Sequence, residues 1–219
     1  MTFKAMLCGA AALLALGATA ARSDEATRQA EPPAAGLAVA AFAGGCFWCM
    51  EPPFDKLAGV VSTTSDYTGG VKAGASYAEV SAGGTGHKEA LRVVYDPAKL
   101  TYAKLLDVFW RNVDPVDAAG QFCDKGDSYK AAIFVGDDDQ RRLAEESKAK
   151  LAGSGRFKQP LAVTIEPARE FWIAEDYHQD YYVKNPTKYK FYRWNCGRDA
   201  RLEAVWGPNA THGGEGLAS

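Results

Sequence analysis

The sequence predicts an α/β domain, a two-layer α+β sandwich whose mostly antiparallel sheet has the split β-α-β, ferredoxin-like plan. Three observations favour this class. Short apolar runs rich in β-branched residues alternate with longer segments of helical spacing. Their order along the chain is β-α-β-β-α-β, followed by one further α-β pair. The 219 residues suffice for one such domain with a leader or a tail.

The first half of the domain supplies three predicted strands. Residues 37–43 form an apolar run that ends at Gly44-Gly45, which predicts a buried strand followed by a helix. Residues 60–66 and 90–95 are rich in β-branched and aromatic residues and predict two more strands. The intervening segment 69–86 is rich in Gly and Ser, so we expect a long loop, which in compact domains is often functional.

The second half is predicted from two helix caps and two strands. Thr101 and Asp137 each precede a helical segment and are expected to cap it. The first of these helices has apolar positions at helical spacing, namely Leu105, Leu106, Phe109 and Trp110. Residues 131–135 and 161–165 predict strands, and the aromatic-rich segment 171–207 is expected to wrap over the core.

Composition excludes some functions. Hydrophobic residues make up 47% and charged residues 24% of the chain, which is typical of a globular protein. The 25 basic and 27 acidic residues give a net charge of -2, so no overall positive field exists to hold phosphate backbones. Nucleic acid is therefore not an expected partner, and we expect a monomer.

The N-terminus has the pattern of a signal peptide over residues 1–20. Lys4 precedes an uncharged apolar run from Met6 to Leu16, and Ala18-Thr19-Ala20 supplies small residues for cleavage. The run is shorter than the ~20 residues of a membrane span. We therefore expect export to the periplasm or outside the cell, with no membrane association after cleavage.

Three further segments follow the predicted cleavage site. Residues 21–35 are polar with two prolines and predict a disordered linker. The folded domain is expected at 36–207, and residues 208–219 are expected to be a disordered tail.

Four cysteines lie beyond the predicted leader, at Cys46, Cys49, Cys123 and Cys196. A domain of this size needs no disulfide to build a core. Structural disulfides, a zinc site and redox catalysis are the three interpretations. The spacing disfavours zinc, because Cys123 and Cys196 lack a nearby second ligand, and we predict no metal.

Cys46 has the placement of a nucleophile. It follows a predicted strand and the Gly-Gly turn and precedes a predicted helix, whose free N–H groups are expected to lower the thiol pKa. Pro52 and Pro53 weaken this effect, since proline is accepted mainly in the first helical turn and the regular helix would then begin near Glu51.

Five long motifs occur in order along the chain. They are GGCFWCMEPPF at 44–54, SDYTGG at 65–70, SYAEV at 76–80, GTGHKEALRVVYDP at 84–97 and AEDYHQDY at 174–181. Over roughly residues 40–205 the chain resembles the A-type peptide methionine sulfoxide reductases. The resemblance implies reduction of the S epimer of methionine sulfoxide, free or in proteins, to methionine. It implies electrons from thioredoxin or a thioredoxin-like donor, no metal or organic cofactor, and a catalytic domain at 36–207.

The resemblance also implies roles for individual residues. Cys46 would be the nucleophile and Glu89 the acid, while the phenols of Tyr77 and Tyr129 would hold the sulfoxide oxygen. Asp124 falls at the acidic position of the family pattern. A sulfoxide sulfur is electrophilic only when its oxygen is protonated or strongly hydrogen-bonded, so the acid must keep its proton near neutral pH. Burial beside aromatic rings would raise its pKa accordingly.

Phe47 and Trp48 are expected to form the apolar wall that receives the terminal methyl group of the substrate. Without the resemblance, both would be interpreted as core residues, and Glu89 as a solvated surface carboxylate. A structural hydrogen-bonded network, rather than catalysis, is expected of His87, Glu175, Asp176 and His178.

After the attack, Cys46 would be a sulfenic acid that a second thiol converts into a disulfide. We predict that Cys196 is this resolving thiol, because Gly197 and the C-terminal position suggest a mobile tail. Cys49 is the second choice, since one helical turn separates it from Cys46. Cys123, beside Asp124, is a candidate third thiol in a relay.

Two other function classes remain open at this point. An exported C-x-x-C thiol-disulfide oxidoreductase would place a similar nucleophile at a helix start. A non-enzymatic binding domain would instead be held together by Cys46–Cys49 and Cys123–Cys196 bridges. The first predicts turnover of disulfides without a sulfoxide, and the second predicts no free thiol in the native protein.

Overall fold

The structure is a computed structural model that describes residues 28–208. The predicted signal peptide, residues 21–27 of the predicted linker and residues 209–219 of the predicted tail lie outside the described residues. In chain order the elements are β1 Arg28–Gln29, β2 Ala38–Ala43, α1 Phe47–Asp55, β3 Val60–Thr68, α2 Tyr77–Ala82, β4 Lys88–Tyr95, α3 Tyr102–Arg111, β5 Gly120–Gln121, β6 Asp124–Lys125, a 3₁₀ turn Asp127–Tyr129, β7 Ala132–Val135, α4 Asp138–Ala152, β8 Thr164–Pro167, β9 Trp172–Ile173, α5 Tyr181–Lys184, α6 Pro186–Asn195 and α7 Arg198–Trp206.

The described strands form a seven-stranded sheet in the order β1-β9-β3-β4-β2-β7-β8, and a two-stranded hairpin of β5 and β6. Within the large sheet β7 and β8 are parallel, and the other neighbours are antiparallel. The inner order β3-β4-β2-β7, with α1 and α3 as connections, is the split β-α-β plan. The predicted fold class is confirmed.

The helices begin where local chemistry places them. The Thr101 hydroxyl accepts the Lys104 N–H, and the Asp137 carboxylate accepts the Gln140 N–H, so both predicted caps are present. The apolar face of α3 packs on the sheet, where Phe109 stacks on Phe42 at 5.2 Å between ring centroids. None of the helices within 28–208 is both long and apolar enough to span a membrane.

Two expectations differ from the structure, and a third segment gains detail. The predicted loop 69–86 contains the short helix α2, which Ser76 and Glu79 begin with a reciprocal capping box. The last predicted strand starts at Thr164 instead of 161, because the Ala162 N–H is bound by the Pro115 carbonyl. The segment 171–207 is largely helical.

Part of the predicted linker belongs to the sheet. Arg28 and Gln29 pair with Ile173 and Trp172 of β9, and the Arg92 guanidinium donates to the Glu31 carbonyl at 2.6 Å. The side-chain pattern gives no sign of this edge, because its contacts are made mainly by the backbone. Disorder is therefore not found for residues 28–35.

Candidate active site

The turn before Cys46 accepts only glycine. Gly45 has φ +79°, a left-handed conformation, and a Cβ there would lie 2.6 Å from the Gln121 Cβ. This turn carries the chain from the end of β2 directly into α1, with Cys46 at the N-cap. Cys46 is 6% exposed, so its sulfur lies just beneath the surface.

The helix α1 begins at Phe47 and contains both Pro52 and Pro53, so the predicted start near Glu51 is wrong. Pro53 has no N–H to offer the Cys49 carbonyl one turn earlier. The Arg193 guanidinium donates to that carbonyl instead, at 3.5 Å. The contact with Arg193 therefore replaces the backbone hydrogen bond that Pro53 cannot form.

The free N–H at the start of α1 binds Glu89 and not the Cys46 sulfur. The Phe47 N–H donates to Glu89 Oε2 at 3.2 Å. Burial raises the pKa of the Cys46 thiol well above its usual value, which is opposite to the expected lowering. The neighbouring Cys46 thiol and the charges of Arg198 and Arg193 lower the pKa of Cys49, whereas burial opposes this shift.

Glu89 is buried in the sheet rather than solvated on its surface. It lies on β4 opposite Tyr67 of β3 and is 2% exposed. Burial raises its pKa to about 8, with a further increase from Asp124, although the Phe47 N–H opposes the shift. At neutral pH this carboxyl therefore carries a proton that it can donate.

The two predicted phenols meet at this carboxyl. Tyr129 lies close enough to Glu89 to lower the pKa of its carboxyl, and the phenols of Tyr77 and Tyr129 lie beside each other. Burial raises the pKa of both phenols, so each keeps its O–H. The sequence-predicted acid and hydroxyl donors thus form one continuous group beside Cys46, whose own pKa is raised in part by the nearby Glu89.

Asp124 is held by a residue that the sequence analysis missed. The Tyr192 hydroxyl donates to Asp124 Oδ2 at 2.6 Å. Burial raises the pKa of Asp124, and its charge in turn raises the pKa of Glu89. Asp124 therefore acts on the acid through space and is not in hydrogen-bond contact with it.

The aromatic wall contains more than the two predicted residues. Phe47 is only 1% exposed and lies behind the half-buried Trp48. The Trp48 ring stacks on Tyr181 at 3.6 Å and meets the Tyr192 ring edge-on at 5.7 Å. Tyr77 packs against the same cluster. The rings of Trp48 and Tyr77 are partly buried and are therefore more accessible than the ring of Phe47.

The segment AEDYHQDY supports this wall from behind. Glu175 accepts the Tyr67 hydroxyl at 2.9 Å and the Tyr77 backbone N–H at 2.8 Å. The Trp48 indole N–H donates to His178 Nδ1 at 3.0 Å, and burial lowers the His178 pKa to about 4, so this ring is neutral. These contacts agree with the structural network expected there. Tyr192 carried no sequence signal of its own, and Tyr67 belongs to the SDYTGG motif but had no role assigned to it.

The cysteines form two different pairs. Cys123 and Cys196 form a disulfide, and Cys123 is exposed. Cys46 and Cys49 are free and buried, and the Cys49 backbone N–H donates to the Cys46 carbonyl at 3.0 Å. Cys196 caps the end of α6 and leads through Gly197 into α7, so the mobile tail expected for it is not found. The free thiols also contradict the binding domain with both pairs bridged.

Two groups of side chains in residues 28–208 have metal-capable atoms close together. One comprises Asp124 and the two cysteines of the disulfide, whose sulfurs are not available as thiolates. The other comprises Glu51, Asp55 and Asp180. The Asp55 carboxylate already accepts the hydroxyls of Thr63 and Tyr182.

Comparison with known proteins agrees with this geometry. Residues 38–210 match the family described as peptide methionine sulfoxide reductase. The chain is 50% identical over 169 residues to the peptide methionine sulfoxide reductase of Bacillus licheniformis, covering 77% of this chain and 93% of that one. It is 53% identical over 150 residues to the enzyme of Ligilactobacillus salivarius, covering 68% and 87%.

Solved structures give the same result. The reduced form of Mxr1 from Saccharomyces cerevisiae has a TM-score of 0.65 and 32% identity, covering 72% of this chain and 90% of that one. Methionine sulfoxide reductase A of Corynebacterium diphtheriae has a TM-score of 0.61 and 31% identity, covering 69% and 76%. On the family match and these relatives, the chain belongs to the A-type peptide methionine sulfoxide reductases, which are oxidoreductases.

Proposed function

We propose that this enzyme reduces the S epimer of methionine sulfoxide, free or in proteins, by attack of the Cys46 sulfur on the sulfoxide sulfur. The observation that carries the proposal is the buried Glu89, which accepts the Phe47 N–H directly after Cys46 and lies close to Tyr129 and Tyr77. A fixed acid, a fixed nucleophile and the aromatic wall accept only one configuration at a chiral sulfur.

The atoms balance as follows. The Cys46 thiol loses its proton to solvent as its sulfur forms a bond to the substrate sulfur, while Glu89 gives its proton to the sulfoxide oxygen, with Tyr77 and Tyr129 hydrogen-bonded to that oxygen. Glu89 later takes a proton back from solvent. The hydroxyl then transfers to the Cys46 sulfur as the bond between the two sulfurs breaks. Methionine leaves, the sulfoxide has been reduced, and Cys46 has been oxidised to a sulfenic acid.

Recycling uses the two cysteine pairs in series. Cys49, one helical turn after Cys46, displaces water from the sulfenic acid and forms a Cys46–Cys49 disulfide. The reduced Cys123 and Cys196 take over this disulfide by exchange, which leaves the Cys123–Cys196 bond seen in the structure. A thioredoxin-like donor then reaches it at the exposed Cys123. We propose that the enzyme acts as a monomer and, as the family resemblance implies, needs no metal or organic cofactor.

Separated epimers of a methionine sulfoxide peptide test the reaction. With dithiothreitol as reductant, we expect conversion of the S epimer to methionine and none of the R epimer, measured by chromatography. A thioredoxin system should replace dithiothreitol in the same assay. Conversion of both epimers, or reduction of a protein disulfide with no sulfoxide turnover, would contradict the proposal, and the second result would favour a thiol-disulfide oxidoreductase.

We also propose that the enzyme is exported and repairs oxidised proteins outside the cytoplasm. The support is the pattern of residues 1–20. Mass spectrometry of the protein purified from the source cell envelope or medium should show an N-terminus near Ala21. An intact N-terminus at Met1 in all of the protein would sink the export proposal.

A further inference from the structure

A short segment of the chain crosses the sheet on the face opposite the active site. This segment, residues 30–37, which we call the strap, leaves β1 at the edge of the sheet and enters β2, which lies beyond β9, β3 and β4. The Glu31 carbonyl of the strap accepts the Arg92 guanidinium of β4 at 2.6 Å. Side chains alternate between the two faces of a strand, so Arg92 and Glu89 lie on opposite faces of β4. The strap therefore lies behind the sheet as seen from the active site.

A cavity of about 430 Å³, which we call the strap cavity, lies between the strap and the sheet. Pro32 and Pro33 line it from the strap, and because their rings fix φ and carry no N–H, this part of the strap does not pair with the strands below. The floor is formed by Ser62 of β3, Val94 of β4 and Ile173 of β9, three side chains that the strand register places on one face. The volume falls within the range of about 300 to 1,000 Å³ that is typical of small-molecule sites.

Arg92 supplies a buried cation to the wall of the strap cavity. It is 9% exposed, and only its Nη2 has a hydrogen-bond acceptor within residues 28–208, the Glu31 carbonyl. Its Nε and Nη1 are not among the fully enclosed polar atoms that lack a partner in those residues, so the exposed part of the guanidinium includes them and faces the cavity. A guanidinium fork binds the two oxygens of a carboxylate through parallel N–H bonds. The unused N–H groups of Arg92 therefore suit a carboxylate.

The acid in the field of Arg92 does not pair with it. Asp66 of β3 is fully buried, and neither of its carboxylate oxygens has a hydrogen-bond partner within residues 28–208. Burial raises the pKa of Asp66 to about 8, although Arg92 opposes the shift, so this carboxyl is mostly neutral at pH 7. Arg28 and Glu31 also line the cavity, but both are exposed, and water screens their charges. Arg92 is therefore a buried charge without a contacting carboxylate in the described part of the chain.

We propose that the strap cavity binds a small organic carboxylate with a short apolar body. The carboxylate accepts the free N–H groups of Arg92, and the apolar body lies against Val94 and Ile173. Inorganic phosphate satisfies a guanidinium equally well but gains nothing from these apolar walls, so an anion with an apolar body uses more of the site. The site lies on the face opposite Glu89, and the inference is independent of the proposed function.

The test titrates the wild-type protein with hexanoate, a linear aliphatic carboxylate, and follows its backbone amide signals by NMR. We expect saturable shifts at Val94 and Ile173 of the cavity floor. Hexanamide has the same shape without the charge and should bind about tenfold more weakly, the effect of one charge-assisted hydrogen bond. Inorganic phosphate should also bind more weakly. No saturable shift with millimolar hexanoate, equal binding of hexanamide or phosphate, or shifts confined to the surroundings of Trp48 would overturn the proposal.

Arg92 is tested with a matched arginine outside the cavity. Arg92→Gln keeps a donor for the Glu31 carbonyl but loses the charge, and should weaken hexanoate binding by about 10 to 100-fold. Arg92→Lys should recover part of the affinity, since an ammonium keeps the charge without the fork. The control is Arg142→Gln, which changes an exposed arginine of α4 that donates to Glu146. Unchanged affinity in a folded Arg92→Gln, or an equal loss in the control, would overturn the role of Arg92.

A second variant fills the cavity without touching Arg92. Ser62 lines the strap cavity and is exposed, so Ser62→Leu adds bulk there without disturbing the core. It should weaken hexanoate binding while the thermal unfolding of the free protein stays close to that of the wild type. Wild-type affinity for hexanoate in this variant would overturn the proposed position of the ligand.

Hydrogen exchange tests the site in the unaltered protein. A ligand that binds the folded arrangement stabilises it, and a carboxylate on Arg92 is linked to the strap through the Glu31 carbonyl. The Ala30 N–H, at the start of the strap, donates to the Phe171 carbonyl at 2.7 Å. Saturating hexanoate should therefore slow exchange at Ala30, and an unchanged rate there would overturn the proposal. No step of sulfoxide reduction enters these measurements, so a failure to form methionine would contradict the proposed function alone.

Discussion

Cys46→Ser is expected to abolish methionine formation, with a fall in the single-turnover rate on the order of 10⁶-fold, the scale seen when a covalent enzyme loses its nucleophile. A serine hydroxyl at the N-cap of α1 is far less ionised and less nucleophilic toward sulfur, although it fits the same space. Rapid-quench measurement of methionine, with cooperative unfolding as the check of folding, gives the result. Turnover near the wild-type rate would remove Cys46 from the mechanism.

Cys196→Ser is the informative comparison for that experiment. A small thiol such as dithiothreitol attacks the oxidised Cys46 directly, so we expect this variant to keep one turnover and most dithiothreitol-driven activity. Thioredoxin-driven turnover should be largely lost, because the exposed Cys123–Cys196 disulfide cannot form. If Cys196→Ser also failed to form methionine in one turnover, the recycling scheme would be wrong.

Glu89→Gln is expected to lower the single-turnover rate by about 10² to 10⁴-fold at neutral pH, the range typical of a lost general acid. The amide keeps the shape of the buried carboxyl but has no acidic proton to give. In the wild type, protonated Glu89 is present below its pKa of about 8 and disappears as the pH rises through it. The alkaline fall in rate should therefore vanish in the variant.

The control for this variant is Glu145→Gln, which changes an exposed carboxylate on α4. We expect its rate and pH profile to match the wild type. An unchanged rate in Glu89→Gln, or an alkaline fall that persists there, would show that another group supplies the proton.

Much of the fold could be predicted because its signals are local. Thr101 and Asp137 cap helices that follow immediately, and the apolar runs 37–43, 90–95 and 131–135 contain the strands β2, β4 and β7. The features that the sequence did not predict depend on partners that are far away in the chain. The pairing of Arg28–Gln29 requires β9, some 140 residues away in the chain. Residues Pro52 and Pro53 are tolerated within α1 with Arg193 of α6 bonded to the freed Cys49 carbonyl.

The candidate site was predicted through its motifs more than through its spacing. No periodicity places Tyr77 beside Tyr129, and these residues meet because the first residue of α2 and the 3₁₀ turn both bring their phenols near Glu89 of β4. The pKa of Cys46 was expected in the wrong direction. A helix start suggests a lowered value, but burial and the capture of the Phe47 N–H by Glu89 reverse it. Arg198 had no local signal, since the Gly44 and Asn112 carbonyls that it binds are far away in the chain.

The bond from the Phe47 N–H to Glu89 makes the distance between nucleophile and acid a short-range property. Cys46 and Phe47 share one planar peptide unit, so a rigid backbone linkage and a single hydrogen bond connect the Cys46 Cα to the proton source. Loops farther away can change in length or composition, and thereby alter which oxidised chains are admitted, without disturbing that alignment. The loops that select the substrate can therefore change without altering the contact that aligns the nucleophile with the acid, and the reverse also holds.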